Sequence, residues 1–339
     1  MMKRIGNLIE HIAAPDTLRE AWLRAARGKR HQYAVRAFAA NPDEELMHIR
    51  EGLLSATWSW GPYHRFRVYD PKERLICAAP FADRVAQHAM MIVCEPCFDA
   101  YQLYDSYACR RGKGLDGALA RAQQYARRYP WYAKLDVRKY FDHIDHGTLR
   151  ALLRRRFKDE KLLVLFDSVI ASYSSAPDKG IPIGNLTSQY FANHYLAPWD
   201  HHTTESLGFS QYVRYMDDFV AWGNNKEVLK GWADAAQVFF KERLGLALKP
   251  LCLHRCSHGM NFLGYRIFPD TLLLTRRSRM RFRAKLNAYH ALYEQTIWDD
   301  NETARHVEPL IAFVRRASAD GFPRRAMEDL GLCPRARTV

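Results

Sequence analysis

The sequence predicts an α+β fold in which helices and antiparallel hairpins share one continuous body. Apolar residues recur at three-to-four spacing near the N-terminus and again toward the C-terminus, two stretches alternate around turn signals as hairpins do, and no internal repeat or low-complexity linker divides the chain. At 339 residues and 48% apolar composition, the chain can bury a large core organised as two or three subdomains.

Residues 1–56 read as helices, with Asp16 and Pro42 as start signals for "LREAWLRAARGKR" and "PDEELMHIREGLL". The segment "YHRFRVYDPKERLICAAPF" alternates through His64–Tyr69 and turns at Asp70-Pro71, which predicts a basic hairpin. Helix-like runs follow through Arg128. "WYAKLDVRKYF" then gives a strand ending in Asp136, and a turn leads to the helix "TLRALLRRRF", for which Asp145 is the expected N-cap; Asp142 is read as a local cap as well. In "FSQYVRYMDDFVAWG", Tyr212, Val213 and Tyr215 and then Phe219, Val220 and Trp222 favour two short strands around Met-Asp-Asp, so Asp217 and Asp218 cap a predicted hairpin. Residues 287–339 read as helices.

Charge and cysteine usage bound the function. Lys plus Arg number 51 against 37 acidic residues, a net charge of +14, which favours a polyanionic partner, nucleic acid first. The apolar run "HAMMIVCEPCF" is far shorter than the roughly 20 residues of a spanning helix, and Glu10 and Asp16 interrupt any secretory signal, so the expected location is cytoplasmic with no membrane partner. Seven cysteines, an odd number spread along the chain, argue against a disulfide framework. Cys94, Cys97, Cys252 and Cys256, with His254 and His258 nearby, could form a zinc site on paper, but buried small apolar residues is the preferred reading.

On four residues alone, "YMDD" reads equally as an Asp-rich turn and as a divalent-metal site. A third carboxylate decides between them. Asp136 also ends a predicted strand; if that strand neighbours the hairpin, three carboxylates converge as nucleotidyl transfer requires.

Four segments then carry a resemblance that spacing does not. "LDVRKYFD" (135–142), "GIPIGNLTSQYFAN" (180–193), "YMDD" (215–218) and "NFLGYRI" (261–267) resemble, in order, the palm motifs of reverse transcriptases, and "VYDPKERLI" and "DSYACRRGKG" resemble their fingers. The fold so implied is a right-hand polymerase: an N-terminal helical extension over 1–56, fingers over 57–130, a palm of antiparallel sheet plus helices over 131–270 with 143–190 partly fingers, and a basic helical thumb over 271–339. Group II intron enzymes usually carry glutamine before the first glycine of the third segment and proline after its serine. Here Ile183 precedes Gly184 and Gln189 follows Ser188. "IGNLTSQ" is similar to the motif of diversity-generating retroelement reverse transcriptases, which implies a bacterial or phage enzyme that copies template RNA from a nucleic-acid primer into cDNA with errors at adenines.

The resemblance also implies roles. Asp136, Asp217 and Asp218 are the metal ligands for two Mg²⁺ ions, with Mn²⁺ able to substitute, and the backbone carbonyl of Val137 lies near the second ion. Phe141 matches the steric gate that favours dNTPs, with a core aromatic as the alternative reading. Lys72 and Arg74 grip the triphosphate, or else form a solvated basic face. Ile183 and Gln189 lie against the nascent base pair, and Gly184 allows the backbone to approach the duplex closely. Arg276, Arg277, Arg279, Arg281, Arg283 and Lys285 track the template–primer backbone. A basic pentameric accessory protein is the implied partner. Lys249 stands near the position of a family lysine associated with pyrophosphate protonation, in uncertain register. A defence-associated or other group II-like bacterial reverse transcriptase is the rival within the class; a noncatalytic RNA-binding protein with this fold is the rival from another.

Overall fold

A computed structural model describes residues 4–69, 73–317, 322, 326 and 327. The N-terminal region holds four helices, α1 (Ile9–Ile12), α2 (Pro15–Ala26), α3 (Tyr33–Ala40) and α4 (Pro42–Leu54), where the sequence predicts two helical runs. Pro15 and Pro42 occupy the first turns of α2 and α4, where a missing N–H costs nothing, and the acidic residues beside them favour the same helix ends. The basic hairpin follows as β1 (His64–Tyr69) and β2 (Glu73–Ala78), paired in register from His64↔Ala78 to Tyr69↔Glu73. Its expected Asp70-Pro71 turn, together with Lys72, lies outside the described residues.

Two helices, α5 (Phe81–Asp99) and α6 (Gly114–Arg128), lead to β3 (Trp131–Asp136). Then come α7 (Tyr140–His143), α8 (His146–Arg156), α9 (Glu160–Ala171) and α10 (Leu186–His201), the last running into a π-turn over His202–Ser206. Asp145 caps α8 by accepting the Thr148 amide at 2.7 Å, an interaction worth about 1 kcal/mol. Asp142 departs from expectation: it lies within α7, whose N-cap is Lys139 in a left-handed conformation.

The central sheet comprises β3, β4 (Tyr212–Tyr215), β5 (Asp218–Gly223) and β6 (Cys252–Arg255), antiparallel in the order β4-β5-β3-β6, with α11 (Lys226–Arg243) between β5 and β6. Successive residues face opposite sides. Leu135, Phe219 and Ala221 enter a core shared with Trp199 of α10 and with Trp232 and Phe240 of α11, where the Phe219 and Phe240 rings stack at 5.2 Å. Tyr132, Val220 and Trp222 enter a second core with Leu119 and Tyr125 of α6. Each fully buried aromatic ring contributes roughly 1.5–3 kcal/mol, so the sheet is clamped from both faces. A second sheet, β7 (Met260–Phe262), β8 (Tyr265–Ile267) and β9 (Leu272–Leu274), joins that second core and leads into α12 (Arg276–Glu294) and α13 (Asp300–Arg315). No described helix is long and apolar enough to cross a membrane.

Candidate active site

The alternation that buries Leu135 and Phe219 on one face turns Lys134, Asp136 and Asp218 to the other. β3 and β5 pair so that Asp136 stands directly across from Asp218, with Lys134 across from Val220. Between β4 and β5, Met216 adopts a left-handed backbone (φ 55°), and this tight turn carries Asp217 beside the pair. The Val137 amide donates to the Asp217 carbonyl at 3.3 Å, tying the end of β3 to the turn. Three carboxylates from two separate parts of the chain thus lie at one end of the sheet.

Their electrostatics are those of anions held together under strain. Burial first, and then Asp136 and Asp218, push the Asp217 carboxyl up to about 6. Burial also raises Asp218, against the opposing pull of Lys134. Lys134 Nζ lies 3.0 Å from Asp218 Oδ1, yet out of line for a hydrogen bond, so that buried oxygen has no geometrically sound partner. Lys134 also donates to the Asn261 carbonyl at 2.9 Å, connecting Asp218 to β7. Lys249 stands beside Asp136: its amide donates to the Asp136 carbonyl at 2.8 Å and its Nζ to Asp136 Oδ1 at 2.6 Å.

Hard carboxylate oxygens, one of them buried with an ion-pair partner but no hydrogen bond, suit a hard divalent cation. Among the described residues no group of three or more His, Cys, Asp or Glu side chains is arranged so as to hold a metal ion. The two lysines instead supply the nearby positive charge. The cysteines sit elsewhere: Cys94 is buried in the first core and Cys256 in the second, with Cys97 and Cys252 packed against the respective cores, so the two pairs lie in different interiors.

Phe141, Ile183 and Gly184 meet at one loop, and Lys72 lies outside the described residues. Phe141 is partly buried, packs edge-on against Tyr140 at 5.6 Å, and accepts the Ile181 amide at 2.9 Å through its carbonyl. Farther along the loop, the Ile183 carbonyl accepts the Cys77 amide at 2.8 Å, joining the loop to β2. Gly184 has φ +120°, and a Cβ there would stand 3.0 Å from Ile76 Cγ2 and 3.1 Å from the Cys77 carbonyl oxygen. The glycine is therefore required both by conformation and by close approach. Ile76 and Arg74 share one face of the hairpin by alternation, so Arg74 belongs to the face that looks over this loop. Gln189 is exposed on α10, where Cys109 Sγ reaches its Oε1 at 3.4 Å. The basic residues of α12 lie on a separate element: Arg276, Arg277, Arg279, Arg281 and Arg283 are exposed and Lys285 is half-buried.

The family described as "Reverse transcriptase (RNA-dependent DNA polymerase)" matches residues 70–267, which span the second strand of the hairpin, the central sheet and all three aspartates. The chain belongs to the reverse transcriptase family. Among curated relatives, Protein YkfC of Escherichia coli (strain K12) is 26% identical over 206 residues, covering 56% of this chain and 54% of that protein. The group II intron-encoded protein LtrA of Lactococcus lactis subsp. cremoris is 25% identical over 167 residues, covering 47% and 28%. The chain thus spans about half of one relative and less of the other. Among solved structures, apo telomerase from Candida tropicalis aligns with a TM-score of 0.50 at 10% identity, covering 98% of this chain and 79% of that chain. That likeness concerns the fold, which for this reverse transcriptase is the right-hand polymerase architecture.

Sequence reasoning missed Lys134 and Arg214 as parts of the site. Lys134 is two positions before Asp136, so strand alternation alone puts both on one face. Arg214 is a charged residue in an otherwise apolar strand, and that mismatch is a signal the sequence does carry.

Proposed function

We propose that this reverse transcriptase is an RNA-directed DNA polymerase that extends a nucleic-acid primer with dNTPs on an RNA template, and that Asp136, Asp217 and Asp218 form its catalytic centre. The observation that carries this reading is the β3–β5 register, which sets Asp136 across from Asp218 with Asp217 in the adjoining turn. Those carboxylates would hold two Mg²⁺ ions, with Mn²⁺ as a substitute and the Val137 carbonyl near the second. Bound there, the ions would lower the pKa of the attacking primer hydroxyl and stabilise charge on the departing pyrophosphate. The chain's own groups do the rest. Phe141 occupies the position from which a ring excludes a ribose 2′-hydroxyl, Arg74 and Lys72 meet the triphosphate from the hairpin, and Lys249 and Lys134 balance the carboxylate charge. Ile183, Gly184 and Gln189 line the nascent pair, while Arg276, Arg277, Arg279, Arg281, Arg283 and Lys285 follow the duplex backbone.

The same reading extends to the purpose of the cDNA. Ile183 before Gly184 and Gln189 after Ser188 support a diversity-generating retroelement enzyme that makes adenine-directed errors, assisted by a basic pentameric accessory protein. An aliphatic Ile183 offers the nascent pair no polar check. A buried hydrogen bond gained there is worth roughly 1–3 kcal/mol in discrimination. Sequencing cDNA made on one RNA template, with and without the accessory protein, tests this. Ile183→Asn lowers misincorporation at template adenine more than at other bases, and Arg74→Ala lowers both efficiency and error. Equal adenine error in wild type and both variants shows that selectivity is set elsewhere, and a wild type that errs no more at adenine than at other bases contradicts the retroelement assignment while leaving polymerase activity in place.

A further inference from the structure

The strand leading into the catalytic turn carries a charge where alternation calls for an apolar side chain. Arg214 on β4 is fully buried, and so is its partner Asp200 at the end of α10. The guanidinium is saturated. Its Nε meets Asp200 Oδ1 and Oδ2 at 2.7 and 2.9 Å, and Nη2 reaches Asp200 Oδ2 at 2.6 Å, Gln102 Oε1 at 3.0 Å and the Asn193 carbonyl at 3.2 Å. Nη1 donates to Asn193 Oδ1 at 2.7 Å and to the Met216 carbonyl at 3.1 Å. Met216 is the left-handed residue immediately before Asp217.

We propose that Arg214, anchored by Asp200, is a positioning residue that fixes the Met216–Asp217 turn and couples it to the 102–108 segment and to α10. This rests on the catalytic role assigned above to Asp217. Three features distinguish the role from simple core filling. A planar fork with five N–H groups is aimed at acceptors in three different parts of the chain, and rotating it strands several buried donors at once. A non-glycine residue stays in a left-handed conformation only when its surroundings over-determine it, and the Nη1 bond to its carbonyl is such a constraint. The backbone repeats the coupling, since the Arg214 amide donates to the Asp105 carbonyl and the Tyr107 amide to the Arg214 carbonyl, both at 2.9 Å. Asn193 Nδ2 also reaches the Ala108 carbonyl at 2.6 Å, closing the circuit between α10 and that segment. Replacing a buried ion pair by apolar residues of similar volume is often neutral or stabilising, so stability alone does not account for a buried charge here, and a geometric task does.

The test compares Arg214→Lys, which keeps the charge and loses the fork, with Thr203→Ala, which removes the buried acceptor of Trp232 Nε1 outside this network. Each full-length variant is assayed for dNTP incorporation on a primed RNA, for melting temperature, and for the rise in melting temperature on adding Mg²⁺. Arg214→Lys should lower kcat on the order of 10²-fold, the cost of a small misplacement of reacting groups, with KM for dNTP within a few-fold of wild type. It should also shrink the Mg²⁺-dependent rise. Thr203→Ala should lose stability yet keep both kcat and the Mg²⁺ response. If Arg214→Lys does not fold, Asp200→Asn, which leaves the shape and removes the anchoring charge, is expected to give the same kcat loss. Wild-type kcat in the Arg214→Lys or Asp200→Asn protein, or kcat losses that follow melting temperature equally in the Arg214 and Thr203 variants, overturns the proposal. A wild-type protein that incorporates no dNTP overturns the catalytic assignment itself, and this inference with it.

Discussion

Asp217 shows how the site trades stability for chemistry. Its carboxyl is raised to about 6 by burial and by its acidic neighbours, so the folded protein binds that proton more tightly than the unfolded chain does. The sign follows: ionising Asp217 costs stability, the cost is fully present above about pH 6, and it disappears below about pH 4. In metal-free buffer, Asp217→Asn is therefore expected to be more stable than wild type at pH 7 to 8 by roughly 3 kcal/mol, with the gap closing as pH falls from about 6 to about 4. Denaturant titrations of both proteins across that range measure the gap directly. A gap independent of pH removes this account of Asp217. Phe141 makes a different residue-scale prediction. Phe141→Val relieves a clash rather than removing a bond, so rNTPs should gain on dNTPs by about 10- to 200-fold in direct competition. Unchanged sugar preference returns Phe141 to the role of a core aromatic.

At the scale of elements, the loop over 180–184 joins the hairpin to the palm, and at Gly184 the two backbones approach closely. Gly184→Ala would force a Cβ against Ile76 and the Cys77 carbonyl in a conformation that L side chains rarely adopt. We expect a loss of about 1–3 kcal/mol in chemical denaturation, together with weaker dNTP binding as β2 is pushed off the loop. Wild-type stability and dNTP affinity would show that the close approach is dispensable. The hairpins and their strands were legible in the sequence because alternation and turn residues act locally, and "YMDD" between two β-rich runs is such a local signal. Asp136 was legible as a strand end, but its register against Asp218 was not, because pairing depends on partners far along the chain. Lys249 illustrates the same limit. Its side chain reaches Asp136 through the path of the chain between α11 and β6, which no periodicity encodes. The Asp142 cap failed because Lys139 took the left-handed N-cap position instead.

Over the whole molecule, the +14 net charge is carried in part by α12, apart from the aspartates. Arg276 and Arg279 are exposed on that helix. Replacing both with Ala should weaken template–primer binding across sequences and make the slope of log K against log salt shallower by about 1 for each phosphate that is no longer neutralised. An unchanged slope places the duplex on another surface. In the proposed function the two cores back the sheet from either face, the hairpin and loop would meet the nucleotide, and the basic helix would hold the duplex. The central claim concerns the point where these parts converge, and the rate of single-nucleotide incorporation by Asp218→Asn against wild type, on one primed RNA with Mg²⁺, tests it most directly. The account predicts no detectable incorporation by the variant at unchanged fold and template affinity, because an amide cannot supply the anionic ligand. Incorporation at the wild-type rate would contradict it.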